Sequence, residues 1–130
     1  MRLLTRRFTL WGGKLSVAPE VLNSDFLSAM AGICLPLDGA AELLNALKGK
    51  VKIAIITNGF TALQQARLER TGFREFFDEL VISEQVGVPK PDVAIFDHTL
   101  ALLGHPTRSR VSTVGVHPES DLLGGVNAGL

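Results

Sequence analysis

The chain has 130 residues, 46% of them hydrophobic, which is enough for one domain with one core and too apolar for a disordered protein. Basic and acidic residues are equal at 13 each, so no global field exists to recruit a nucleic-acid polymer or a membrane surface. No apolar run approaches the roughly 20 residues that cross a bilayer, and the single Cys34 cannot close an internal disulfide, which fits a reducing compartment.

Residues 1–18 carry Arg2, Arg6, Arg7 and Lys14 and no acid. Such a segment can be a transit peptide or an amphipathic helix with a basic outer face. The helix is the preferred reading, and without a signal-type apolar core the expected location is the cytoplasm. A helix is predicted over 2–11, stopped by Gly12 and Gly13. A second begins near Ala18 and Pro19, with proline in the first turn where its missing N–H costs nothing. Leu22, Phe26, Leu27 and Met30 recur on one face of it. The segment 36–39 is a connector and a candidate domain boundary.

Beyond it, strand and helix alternate. A helix over 40–47 leads to a strand over 51–57. Its run Ile53, Ala54, Ile55, Ile56 is apolar without alternation, the pattern of a parallel strand covered on both faces. A helix over 60–70 stops at Gly72, and a short strand follows over 80–82. Asp92 caps a helix with Ile95, Phe96, Thr99, Leu100 and Leu103 on one side, closed by Gly104. A further strand is predicted over 111–116, and a last helix from near Pro118 runs into Leu130. The order β-α-β-α-β-α means an α/β layer with a mostly parallel sheet and right-handed crossovers. The last helix is cut short at Leu130, and the expectation is that the chain is a fragment.

Three short strings carry chemistry. Thr57-Asn58-Gly59 follows the first strand, at the carboxyl end where open α/β sheets bind ligands. The Thr57 hydroxyl can donate to a phosphoryl oxygen, and Gly59 lets successive N–H groups face an anion. Equally, Thr57 or Asn58 can simply cap the next helix. Lys90 stands between Pro89 and Pro91, on stiff backbone just before a helix. There it can neutralise a phosphoryl oxygen or a carboxylate, or be an ordinary surface lysine. Asp121 can orient a hard cation such as Mg²⁺, or serve with Glu119 as an acid favoured in a first helical turn. His117 is expected in a loop, and His98 and His105 have no partners at ligand spacing. No serine-hydrolase elbow, Walker loop, Rossmann glycine fingerprint or zinc pattern is present. None of Asp25, Asp38, Asp78, Asp92, Asp97 and Asp121 lies two residues from another.

In order and spacing, IAIITNG (53–59), SEQVGVPKPDVAIF (83–96) and VGVHPESDLLGGVNAGL (114–130) resemble motifs II, III and IV of the haloacid dehalogenase superfamily. LERTG and FFDELVISE are similar in particular to the bacterial pyrimidine 5′-nucleotidases of that superfamily. The resemblance covers nearly the whole chain. It implies a partial Rossmann-like parallel sheet with helices on both faces over 36–130. Residues 1–35 would be the closing helices of an α-helical cap. It further implies Mg²⁺-dependent hydrolysis of nucleoside 5′-monophosphates through an aspartyl-phosphate. By resemblance, Thr57, Asn58 and Gly59 bind the phosphoryl group, Thr57 and Lys90 are the catalytic residues present, and Asp121 lies beside the metal.

Two departures matter. The family's Asp-x-Asp strand, which supplies nucleophile and general acid/base, is absent from this sequence. Val116 stands where members carry an acid after the fourth-motif glycine. Residues that act as a unit do not degrade gently when lost, so the expected phosphatase rate is near background. The absent strand belongs between the strands predicted over 51–57 and 111–116. Its absence leaves free edges, and the expected behaviour is marginal stability, rearrangement or self-association. Two other readings are a non-catalytic phosphate- or nucleotide-binding module, and an interaction protein that completes its sheet with another chain's strand.

Overall fold

A computed structural model describes residues 17–130. The helix expected over 2–11 lies outside them. Helix α1 (Pro19–Gly32) opens with Pro19 after an extended Ala18, as its sequence requires. No residue of α1 is buried. Leu22, Leu27 and Met30 are half-covered, but Phe26 remains 46% exposed, so the expected apolar stripe is only partly used. The reason is geometric: a single helix, α3, is its main neighbour among the described elements.

Helix α2 (Ala40–Leu47) matches the sequence expectation. Strand β1 (Ala54–Thr57) is shorter than the predicted 51–57. Its entry is set by a side chain: the Asp78 carboxylate accepts from Ile53 N at 2.7 Å, while Asp78 N donates to Ile53 O at 2.8 Å. Helix α3 (Thr61–Thr71) ends at Gly72, whose φ of 69° is the left-handed stop that glycine takes without strain. A 3₁₀ turn (Phe73–Phe76) leads into β2 (Glu79–Ile82), then the short α4 (Ser83–Val86). β1 and β2 pair in parallel, in register from Ala54 opposite Glu79 to Thr57 opposite Ile82. Helix α5 (Val93–Leu102) is capped as predicted, with the Asp92 carboxylate accepting from Ala94 N at 2.9 Å.

Side chains alternate across the two strands. Ile56 and Val81 pack with Ile95 and Phe96 of α5. Ile55, Thr57 and Leu80 face Gln64, Arg67 and Leu68 of α3. The sheet therefore has a helix on each face, as an α/β layer requires. Phe96, 1% exposed, is the largest side chain fully buried in the core. The buried Thr99 hydroxyl is satisfied by donating to Ile95 O at 2.8 Å.

Two expectations fail near the C-terminus. Residues 111–116 do not form a strand: Val111 is extended, at φ −110° and ψ 135°, but the described sheet contains only β1 and β2. A strand needs a hydrogen-bonded neighbour, and between β1 and this segment lies a slot of about 420 Å³. Ile53 to Ile56 line one wall, Val111 to Val114 the other, with Phe96 and Leu100 between them. The segment Pro118–Leu123 is a π-type turn rather than an α-helix, because Asp121 N and Leu122 N both donate to His117 O. It continues into α6 (Gly124–Asn127).

A β-carbon at position 124 would stand 2.8 Å from the Phe96 ring and 3.2 Å from the Pro91 Cα. Ring and backbone have little room to give, so Gly124→Ala should cost about 1–3 kcal/mol. The expected readout is a lower urea midpoint with an unchanged slope; an unchanged midpoint would show that α6 can slide.

Candidate functional site

The loop after β1 is held from three sides. Gly59 N donates to Ser83 Oγ at 3.2 Å, and Thr61 N donates to the Glu84 carboxylate at 2.8 Å. The latter is a helix cap delivered from 23 residues away, and its backbone hydrogen bond holds the Glu84 carboxyl below its usual range. The third tie is Asn58. Its Nδ2 donates to Lys90 O at 2.9 Å, and its Oδ1 accepts from Lys90 N at 2.7 Å.

Those two bonds place the main chain of Lys90, and the side chain then reaches Asp121. The Lys90 Nζ to Asp121 Oδ1 distance is 2.6 Å, with side chains only 15% and 14% exposed. Asp121 is saturated: Oδ1 also accepts from Ser120 Oγ at 3.3 Å, and Oδ2 accepts from Val116 N and His117 N, both at 3.1 Å. His117 sits in the loop as expected and caps the turn, its Nδ1 accepting from Ser120 N at 3.2 Å. Gly115 is required here, because a β-carbon would overlap the Asp121 side chain.

The structure thus brings Asn58, Lys90 and Asp121 together at the carboxyl end of β1. Thr57 is adjacent in chain, but its side chain turns to the α3 face, beside Cys34, Leu35 and Arg67. Ser83, Glu84 and Ser120 complete the constellation. Nothing in the sequence singles them out, since their partners lie on other loops or are fixed only by the turn.

A Mg²⁺ ion requires near-octahedral oxygen ligands, usually including one or two carboxylates. Among the described residues no three His, Cys, Asp or Glu side chains cluster as a metal site. Asp121 has both oxygens engaged by protein donors, and Val116 offers a hydrocarbon that is 91% exposed. These residues do not make up a Mg²⁺ site by themselves.

The α/β layer and the loops at the end of β1 fit a class of hydrolases. The chain belongs to the haloacid dehalogenase-like hydrolases, whose sequence pattern matches residues 11–129. It is 59% identical over 130 residues to the pyrimidine 5′-nucleotidase YjjG of Escherichia coli, covering all of this chain and 58% of that protein. It is 39% identical over 97 residues to a glyceraldehyde 3-phosphate phosphatase of Methanothermobacter thermautotrophicus, covering 73% of this chain and 42% of the other. The magnesium-bound crystal structure of the HAD-hydrolase YfnB of Bacillus subtilis matches with a TM-score of 0.82 at 24% identity, over 95% of this chain and 53% of that one. The chain therefore spans about half the length of the relatives it matches, and its relation is to phosphate monoester hydrolases. No helix among the described residues is long and apolar enough to cross a membrane.

The Lys90 hydrogen bond is the main force that holds Asp121 at about 2, aided by the His117 N–H and opposed by partial burial. A carboxyl depressed in the folded state stabilises fully above its unfolded value and loses that contribution as pH falls through the folded one. Native stability should therefore drop by up to about 2 kcal/mol between about pH 4 and pH 2. Urea midpoints across that window should show the drop in the native chain and a flatter profile in Asp121→Asn; parallel profiles would contradict the assignment.

Proposed function

We propose that this chain carries the phosphoryl-recognition part of a nucleoside 5′-monophosphate phosphatase site and binds phosphate groups without turning them over. The carrying observation is the placement of Lys90. Its ammonium has three protons, of which the described hydrogen bonds use one, on Asp121. The other two can meet a phosphoryl oxygen beside the Asn58–Gly59 turn; the Thr57 hydroxyl, which faces α3 here, would have to rotate to join them. Residues 36–130 would be the core that holds this site, and residues 1–35 the closing part of a cap over it. Turnover is excluded in this reading because no Asp-x-Asp lies in this 130-residue sequence and, by the family resemblance, Val116 stands where members carry an acid. Mg²⁺ would need ligands from outside this residue set. The similarity to YjjG favours a pyrimidine nucleotide, and the similarity to a glyceraldehyde 3-phosphate phosphatase keeps a triose phosphate as a second candidate. The cytoplasm is the compartment proposed.

Calorimetry with uridine monophosphate and inorganic phosphate tests this directly. Binding is expected in the roughly millimolar range, weakened about tenfold in Lys90→Met. Hydrolysis with added Mg²⁺ should stay near the uncatalysed rate, about 10⁴-fold or more below a complete relative. Turnover well above that level, lost in Lys90→Met, would overturn the non-catalytic reading; no phosphate binding would overturn recognition itself.

A second reading is favoured by the slot beside β1. Among the described residues β1 pairs with β2 alone, so its other edge carries unpaired N–H and C=O groups against apolar walls. That supports self-association, or addition of a strand from another chain. Light scattering after size exclusion should then report a mass above the 14.0 kDa of one chain. A monomer with sharp cooperative unfolding would sink this reading.

A further inference from the structure

The side chain of Asn58 does not point freely at the site. Both ends of its carboxamide are bound to the main chain of one residue, Lys90, which lies 32 positions away. A carboxamide that donates to a C=O and accepts from the N–H of the same residue fixes that peptide segment in position and direction. Lys90 is also the residue whose side chain reaches Asp121. No other described side-chain hydrogen bond reaches the Lys90 main chain.

We infer that Asn58 is a positioning residue: its two-ended clamp on the Lys90 main chain aims the Lys90 ammonium at Asp121 and at the anion position beside it. The inference deepens the phosphate-recognition reading and rests on it for the anion. The clamp itself stands on geometry alone. It links the turn after β1 to the loop before α5, so the two parts of the site move as one piece. Without it, Lys90 keeps its charge and its stem but loses a fixed origin. The lysine side chain then samples solvent, because its own rotamer entropy favours release.

Competitive acetylation of the full chain, read peptide by peptide by mass spectrometry, tests the clamp. Lys50 is the internal reference, since it is exposed and its ammonium is engaged by no described hydrogen bond or ion pair. In the native chain Lys90 should label much more slowly than Lys50, being paired and 15% exposed. In Asn58→Ala the Lys90-to-Lys50 ratio should rise about tenfold, the effect of losing a pair of hydrogen bonds. Asn58→Ser, which suits a turn but cannot span both partners, should give the same rise and decides the matter if the alanine variant does not fold. Leu100→Ala loosens the core without touching the clamp and should leave the ratio unchanged. An unchanged ratio in the folded Asn58 variant, or an equal rise in Leu100→Ala, overturns the inference. Inorganic phosphate affinity measured on the same proteins separates the two ideas. A labelling change in a chain that never binds phosphate keeps the clamp and removes the recognition reading; bound phosphate with unchanged labelling does the reverse.

Discussion

The ion pair between Lys90 and Asp121 is the constraint around which the C-terminal half is arranged. A largely covered pair survives only if hydrogen bonds replace the lost water on both partners. Asp121 obtains four donors, from Lys90, Ser120 and the N–H groups of Val116 and His117. Supplying two main-chain N–H groups to one carboxylate oxygen forces the backbone at 115–117 to fold tightly around it. That close approach requires glycine at 115 and leads into the wide π-type turn. The turn in turn delivers α6, with its two buried glycines, against Phe96 and Thr113. Arg108 then ties the end of the chain down, donating to Ala128 O and to Asp97 at 2.8 Å. One electrostatic demand thus propagates into backbone shape, and from there into the packing of the core.

The other half of the molecule is organised by hydrogen bonds from side chain to main chain across loops. Asp78 sets the start of β1, Glu84 caps α3 and Asn58 anchors Lys90. These ties hold the loops beside a sheet in which two strands are described, where ladder bonds are few. The apolar slot beside β1 is the counterpart of that economy. Its walls are walls of a core, yet nothing described lies between them. The hydrophobic effect favours filling such a space, which is why strand addition deserves a place beside phosphate recognition.

The fold class was legible because two local signals were strong. The unalternating run at 53–56 marks a strand covered on both faces, and the helix at 93–102 carries both its cap and its buried face in sequence. The strand expected over 111–116 shows where such reading stops. Its residues have the right composition, but a strand is a relation between segments, and no described segment supplies the neighbour it needs. Of the site, Lys90 and Asp121 were readable as chemistry and their contact was not, since 31 residues separate them. Asn58 was readable only as a phosphate ligand or a cap. Its clamp appears once the loops after β1 and before α5 converge.

Val116 bears most directly on what the site can bind. Two acids facing one another leave surplus negative charge, which favours a divalent cation. Here one acid remains, and with its carboxyl held at about 2 it is ionised at neutral pH. Its partner is an ammonium, so the pair is electrically neutral. Val116 contributes an N–H to the carboxylate and no side-chain charge to the site. A neutral pair whose carboxylate oxygens are all occupied holds little attraction for a cation. The polarity that remains is a donor: the two Lys90 ammonium protons that no described hydrogen bond uses. A neutral pair with spare ammonium protons suits an anion better than a cation, and that is the electrostatic ground of the phosphate proposal.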